Sequence, residues 1–168
     1  MHEGRVLYAD HDHVHVLRYV GDIRHPLAPS IARFVDTLLE HFDGDDVVVD
    51  LSEVDAIDST NLGEIARIAS LLAERGGRRA SIVSTRHEIS QVLHSMAFDE
   101  VFDIRSQPDA EKDGEPIPTV APSRELSMQV ILSAHRRLMQ MSESNRKKFA
   151  DVVDLLEREL QASAKGTS

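Results

Sequence analysis

Cysteine is absent from this 168-residue sequence, and so is tryptophan. Without a thiol there is no disulfide framework, no thiolate metal site and no cysteine nucleophile. Aromatic residues make up 4% of the chain against 41% hydrophobic residues overall, so a core must be filled by Val, Ile, Leu and Ala, which suits a small layered α/β architecture. No apolar run approaches the length that spans a bilayer, and the first ten residues lack the apolar stretch of a secretion signal. These absences predict a cytoplasmic protein with no membrane insertion. Acidic residues outnumber basic ones 29 to 19, a net charge of −10, and that excess opposes direct binding to a nucleic-acid backbone.

The charge is unevenly spread. Acids crowd the stretch from Asp43 to Asp58, whereas Arg136, Arg137, Arg146, Lys147 and Lys148 gather late in the chain. Arg5–Asp10 and Val14–Val20 are short runs rich in β-branched and aromatic residues, separated by a polar tract, and they predict a β-hairpin. Ile31, Val35, Leu38, Leu39 and Phe42 recur at helical spacing ahead of Gly44. Val47–Leu51 is almost wholly apolar, the pattern of a central strand buried on both faces. Leu62, Ile65, Ala66, Ala69, Leu72 and Ala73 predict a second helix ending at Gly76 and Gly77, Ala80–Ser84 a strand, His87–Met96 a third helix, and Val101–Ile104 a last short strand.

This order defines an α/β domain over residues 1–106, with a mixed central sheet and helices packed on it. Ser106–Pro122 contains four prolines and a glycine and cannot continue a helix or a central strand, so residues 107–122 form a linker. Residues 123–168 make a helical extension with two apolar stripes. Leu126, Val130, Ala134, Leu138 and Met141 form the first, and Phe149, Val152, Val153, Leu156 and Leu160 the second. Ser142–Asn145 offers cap residues between them, so a helical hairpin or one long helix fits, and a dimer through these helices is possible.

The chemically informative stretch is Val48–Gly63: a buried strand, a short acidic turn, then a helix start. Ser59 stands at that start, where unpaired N–H groups and a partial positive charge can receive a phosphate. Asp55 and Asp58 oppose it, since phosphorylation adds nearly two negative charges beside them. Such a modification is tolerable to the fold and reverses the local surface chemistry. The competing use of Ser59 is an ordinary helix N-cap.

Asp58-Ser59-Thr60-Asn61-Leu62-Gly63 resembles the D-S-S/T-G-L-G signature of STAS domains in anti-sigma factor antagonists. Like the family motif it follows a V-V-V-D-L strand. Val20-Gly-Asp-Ile23 is similar to the family's G-x-L/I-D segment after the second strand, and Gly76-Gly77 also matches the pattern. Asn61 stands where the family usually has glycine, and Asp22 and Arg24 flank the turn where the motif's Asp belongs. The likeness covers residues 5 to about 105. It implies the STAS fold and a transcription regulator without cofactor or catalysis. In that family the serine matching Ser59 is phosphorylated by an anti-sigma factor that is also a serine kinase, and a PPM-type serine phosphatase reverses the modification. The unmodified form binds the anti-sigma factor, with Asp22, Asp55, Asp58, Ser59, Thr60, Asn61 and Leu62 as the implied contact residues and Thr60 as the fallback phosphate acceptor. The alternative within the fold is a constitutive STAS subunit of a transporter or sensory assembly.

Two other chemistries are weighed. A serine hydrolase would pair Ser59 with His87 or His94, but the sequence has no G-x-S-x-G elbow or glycine-rich oxyanion loop, and Asp58 would repel an oxyanion. His11, His13 and His15 alternate near Asp10 and Asp12, yet no established ligand spacing accompanies them, so no metal is assigned.

Overall fold

The structure, a computed structural model, describes residues 3–107 and 114–166. Strands β1 (Arg5–His11) and β2 (Val14–Ile23) pair antiparallel, with His11 opposite Val14. Only Asp12 and His13 remain for the turn, and both take positive φ, 46° and 67°. That is the two-residue connection whose twist matches paired strands.

A 3₁₀ turn at His25–Leu27 leads into α1 (Ala28–Glu40), which buries Ile31, Val35 and Leu39 at the predicted spacing. Strand β3 (Asp46–Ile57) is longer than the apolar run suggested. The segment expected as an acidic turn continues the strand, paired parallel to β2 as far as Ile23 beside Ile57. Two register shifts, between Arg18 and Val20 and between Gly21 and Asp22, accommodate the extension.

Helix α2 (Ser59–Glu74) follows, and Gly76 turns the chain out of it at a left-handed φ of 68° that favours glycine. Then come β4 (Ser81–Val83), α3 (His87–Ser95), a 3₁₀ turn at Phe98–Glu100 and β5 (Asp103–Arg105). The last of these strands starts two residues later than expected, where its pairing with β4 begins at Asp103 beside Ser81, and Phe102 is buried ahead of it.

The Pro-rich stretch is more than a connector, although its residues 108–113 lie outside those described. Glu115–Pro116 forms a short edge strand, β6, antiparallel to β1, and the Ile117 N–H donates to the Val6 carbonyl at 3.1 Å. An edge position is where proline is tolerated in a sheet. The sheet order is therefore β5-β4-β3-β2-β1-β6.

Of the two forms left open for the extension, the hairpin is the one observed. Helices α4 (Arg124–Met141) and α5 (Glu143–Lys165) break at extended Ser142, whose hydroxyl caps α5 by accepting the Asn145 N–H at 3.0 Å. Their inward stripes differ from those expected. Met128, Leu132, Ala134, His135 and Leu138 are buried on α4, and Asn145, Phe149 and Val153 on α5, whereas Leu126 and Val152 face solvent.

One aliphatic core holds the layers together. It joins Leu17 and Tyr19 of β2, Val49 and Leu51 of β3 and Ile82 of β4 to Ile65 and Leu72 of α2, and it includes Leu138 and Phe149 of the hairpin. On the other side of the central strands a cross-strand ion pair is buried, Arg18 Nε to Asp50 Oδ2 at 3.3 Å. Ile82 is fully enclosed, so Ile82→Ala should lower stability by about 2–5 kcal/mol. Urea unfolding followed by circular dichroism checks this, and a loss under about 1 kcal/mol would show that β4 is not packed as described.

Candidate functional site at the start of α2

The carboxyl ends of parallel strands are where open α/β sheets usually place their sites. Here β2 and β3 end side by side, and the Asp58 N–H donates to the Ile23 carbonyl at 3.1 Å, fixing where α2 begins. Asp58 is itself the N-cap. Its Oδ1 accepts the Asn61 N–H at 3.0 Å and the Asn61 Nδ2 at 2.9 Å. Ser59 is the first helical residue and is relieved of the capping role.

Its hydroxyl has another partner. Ser59 Oγ lies 2.8 Å from Nε2 of His135, a side chain of α4 that is almost wholly buried. The other ring nitrogen, Nδ1, is 2.7 Å from the Ile131 carbonyl, which can only accept. In the neutral ring Nδ1 therefore carries the proton, and Nε2 accepts from the serine. Phe149 of α5 packs edge-on to the imidazole at 5.3 Å between centroids.

The other expected contact residues divide in two. Asp22 is partly exposed with Arg24 at 2.7 Å, Asp55 is exposed with Arg86 at 2.8 Å, and Asp58 and Ser59 are half-buried. Thr60, Asn61 and Leu62 are buried. Asn61 Oδ1 is an enclosed acceptor with no hydrogen-bond partner.

Gly63 explains why α4 comes so near. A Cβ built there would stand 2.5 Å from the Ala134 carbonyl oxygen and 2.6 Å from the Ala134 Cβ, so the two helices touch backbone to backbone. One turn on, Glu64 is buried and paired with Arg67 Nε at 3.0 Å, and Arg67 also reaches Asp36 and the Ala32 carbonyl of α1. Half-buried Arg137 of α4 brings a second guanidinium towards Glu64. Burial pushes the Glu64 carboxyl above the usual glutamate range, with Arg67 and Arg137 pulling the other way.

Sequence reasoning missed His135 altogether. The available signal was its place three residues after Leu132 and three before Leu138 on one helical face, but nothing local couples positions 59 and 135. His87 and His94, the expected histidine candidates, are on α3, and His94 faces Asp99 at 3.7 Å. The pair that does form is a poor hydrolytic dyad. The ring is oriented by a carbonyl rather than a carboxylate, and Asp58 already occupies a leading N–H of α2.

At the other end of the sheet Asp45 bridges His13 Nδ1 at 3.1 Å and His15 Nε2 at 3.0 Å, while Tyr8 Oη meets His15 Nδ1 at 2.7 Å. His15, Asp43 and Asp45 bring one ligand atom each within 4.8 Å of one another and could hold a cation. His15 and Asp45 already satisfy each other.

The architecture defines an α/β sheet protein with a polar, hydroxyl-bearing helix start at the carboxyl ends of its strands. The family model for the STAS domain matches residues 6–110, more than half of the chain, and the chain belongs to that family. Two solved structures share the fold at 24% identity. One is an anti-sigma factor antagonist from Mycobacterium paratuberculosis, with a TM-score of 0.54, over 62% of this chain and 87% of that one. The other is a Thermotoga maritima protein assigned to the same class, with a TM-score of 0.55, over 61% and 86%. No curated protein is similar enough in sequence to count as a match. Among the described residues no helix is long and apolar enough to cross a membrane. The α4–α5 hairpin lies beyond the matched segment.

Because the folded state holds a proton on Glu64 more tightly than the unfolded chain does, the stability Glu64 contributes is fully present below its ordinary value of 4.5 and is lost as pH rises through the raised value. Glu64→Gln, which mimics the protonated form, should therefore gain on the parent as pH rises from about 4 to about 7. Urea midpoints at both ends of that range test this, and a midpoint of Glu64→Gln minus that of the parent which stays constant or falls with pH would contradict it.

Proposed function

We propose that this protein is a cytoplasmic anti-sigma factor antagonist in which phosphorylation of Ser59 sets partner choice. The unmodified form binds an anti-sigma factor that is also a serine kinase, and a PPM-type phosphatase restores it. The observation that carries the reading is the division of labour at the helix start: Asp58 caps α2, so Ser59 presents a hydroxyl that the helix does not need. The local match to the antagonist signature and membership of the STAS family support it. No catalytic step and no cofactor are involved.

The bond to His135 favours one other reading, a constitutive STAS subunit of a larger assembly, because it gives Ser59 a structural use. Partner binding separates the two. At an interface matched to a neutral hydroxyl, an introduced charge must be desolvated, at a cost of about 2–5 kcal/mol, or roughly 30-fold to several thousand-fold in affinity. Ser59→Ala should bind the anti-sigma factor of its own cell constitutively, and Ser59→Asp should bind it weaker by that factor in calorimetric titration. Equal affinities would defeat the switch. Peptide mapping of protein taken from its own cell should find phosphate on Ser59, and phosphate on Thr60 alone would remove the residue assignment.

A further inference from the structure

We propose that the α4–α5 hairpin is an intramolecular occupant of the antagonist face, so that docking of the hairpin and phosphorylation of Ser59 exclude each other. This rests on the reading of Ser59 as the switch residue. It adds that the chain carries its own competitor for the surface around that residue, which the anti-sigma factor has to displace from the unmodified form in order to bind.

The occupied surface is the switch surface itself. His135 accepts the Ser59 hydroxyl, and the Ala134 backbone sits directly against Gly63, the last residue of the signature. Thr60, Asn61 and Leu62, between these two contacts, are enclosed. A kinase or protein partner reading Asp58 to Gly63 meets α4 first.

A phosphoryl group cannot simply be added to this arrangement. The hydrogen bond uses the hydroxyl proton that phosphorylation removes, and the neutral imidazole would then turn a lone pair towards anionic oxygens. The ring is buried with Phe149 packed edge-on to it, and Asp58 precedes Ser59 in the chain, so on the α4 side the new charge at half-buried Ser59 would meet a lone pair and a carboxylate rather than a donor.

The contact joins apolar residues of the core, Leu138 and Phe149, to an unusually polar seam. Surfaces that stay closed permanently are more apolar than those that open and close. Here His135, Glu64, Arg67, Arg137 and Asn145 all lie at or near the seam, and the Asn145 amide donates to the Met96 carbonyl at 3.0 Å. Asn61 Oδ1 and Arg137 Nε are enclosed without partners. A groove of about 550 Å³ also opens between the later turns of α2 and the end of α4, lined by Ala66, Ala69 and Ala73 on one side and Arg137, Gln140 and Met141 on the other. The two hairpin helices also hold each other, through Phe149 on His135 and Arg136 to Glu157 at 2.7 Å, so they would leave as a unit, uncovering Leu138 and Phe149 of the shared core as they do. Ahead of α4 the chain is tied to α1 as far as Val120, whose N–H donates to Ser30 Oγ at 2.9 Å.

The experiment compares the full chain carrying phosphoserine at position 59, installed genetically, with the unmodified full chain by amide hydrogen exchange. Residues of α4 and α5 are expected to exchange about tenfold faster or more in the phosphoserine protein, with β3 unchanged. Ala134→Leu in the unmodified chain, which wedges the Gly63 contact from the hairpin side, should produce the same pattern. Ser59→Glu substitutes for the phosphoserine protein if that protein does not accumulate. Equal exchange in α4 overturns the proposal, and so does slower exchange, which would mean that a protonated His135 clasps the phosphate. Neither measurement needs a partner. Loosening of the hairpin without any recognised anti-sigma factor would uphold the gate and remove the antagonist reading. Charge-sensitive partner binding with α4 exchange unchanged would keep the reading and overturn the gate.

Discussion

Parallel pairing of β2 with β3, from Val14 beside Asp46 to Ile23 beside Ile57, brings the end of one strand and the start of α2 to a single edge of the sheet. A parallel pair cannot be closed by a tight turn, so α1 must cross over between them, and its apolar face then covers the sheet. The bond from the Asp58 N–H to the Ile23 carbonyl sets the point where β3 stops and α2 starts. Shift the register by one residue and Asp58 would no longer cap, Ser59 would leave the helix start, and Gly63 would rotate away from Ala134. The site is a consequence of that register.

The same pairing brings Arg18 and Asp50 together out of water. Two buried charges of this kind add little net stability, since desolvation offsets most of their attraction, but removal of either one leaves the other stranded. Their value is in discrimination. A strand slipped by one residue would place Arg18 opposite Val49 or Leu51, so the ion pair penalises the alternatives to the register on which the site depends.

Those parts of the fold that rest on local pattern were legible in the sequence. The β1–β2 hairpin, the stripes of α1 and α2 and the apolar start of β3 all follow from periodicity within a dozen residues. What escaped depends on distant partners. Ser52–Ile57 has too many acids to read as a strand and becomes one because β2 supplies the ladder. Glu115–Pro116 has no strand propensity and is recruited by the free edge of β1. The inward face of α4 was displaced because His135 and Met128 turn inward while Leu126 does not, an outcome set by what α2 and α5 offer. At the site, the motif marked Ser59 and the helix start, but the capping role weighed for Ser59 falls to Asp58, whose side chain is the one that reaches the Asn61 N–H. No pattern within the motif announces a partner 76 residues away.

The contact of Gly63 with Ala134 also constrains how such a chain can change over generations. With the Ala134 carbonyl at 2.5 Å from any Cβ at position 63, a side chain acquired there has no room unless α4 withdraws. Enlargement at 134 meets the same wall from the other direction. The two positions therefore have to drift together or not at all. A lineage that lost the hairpin would release position 63 from this particular restraint, whereas one that kept it would inherit small residues at both places as a matched set.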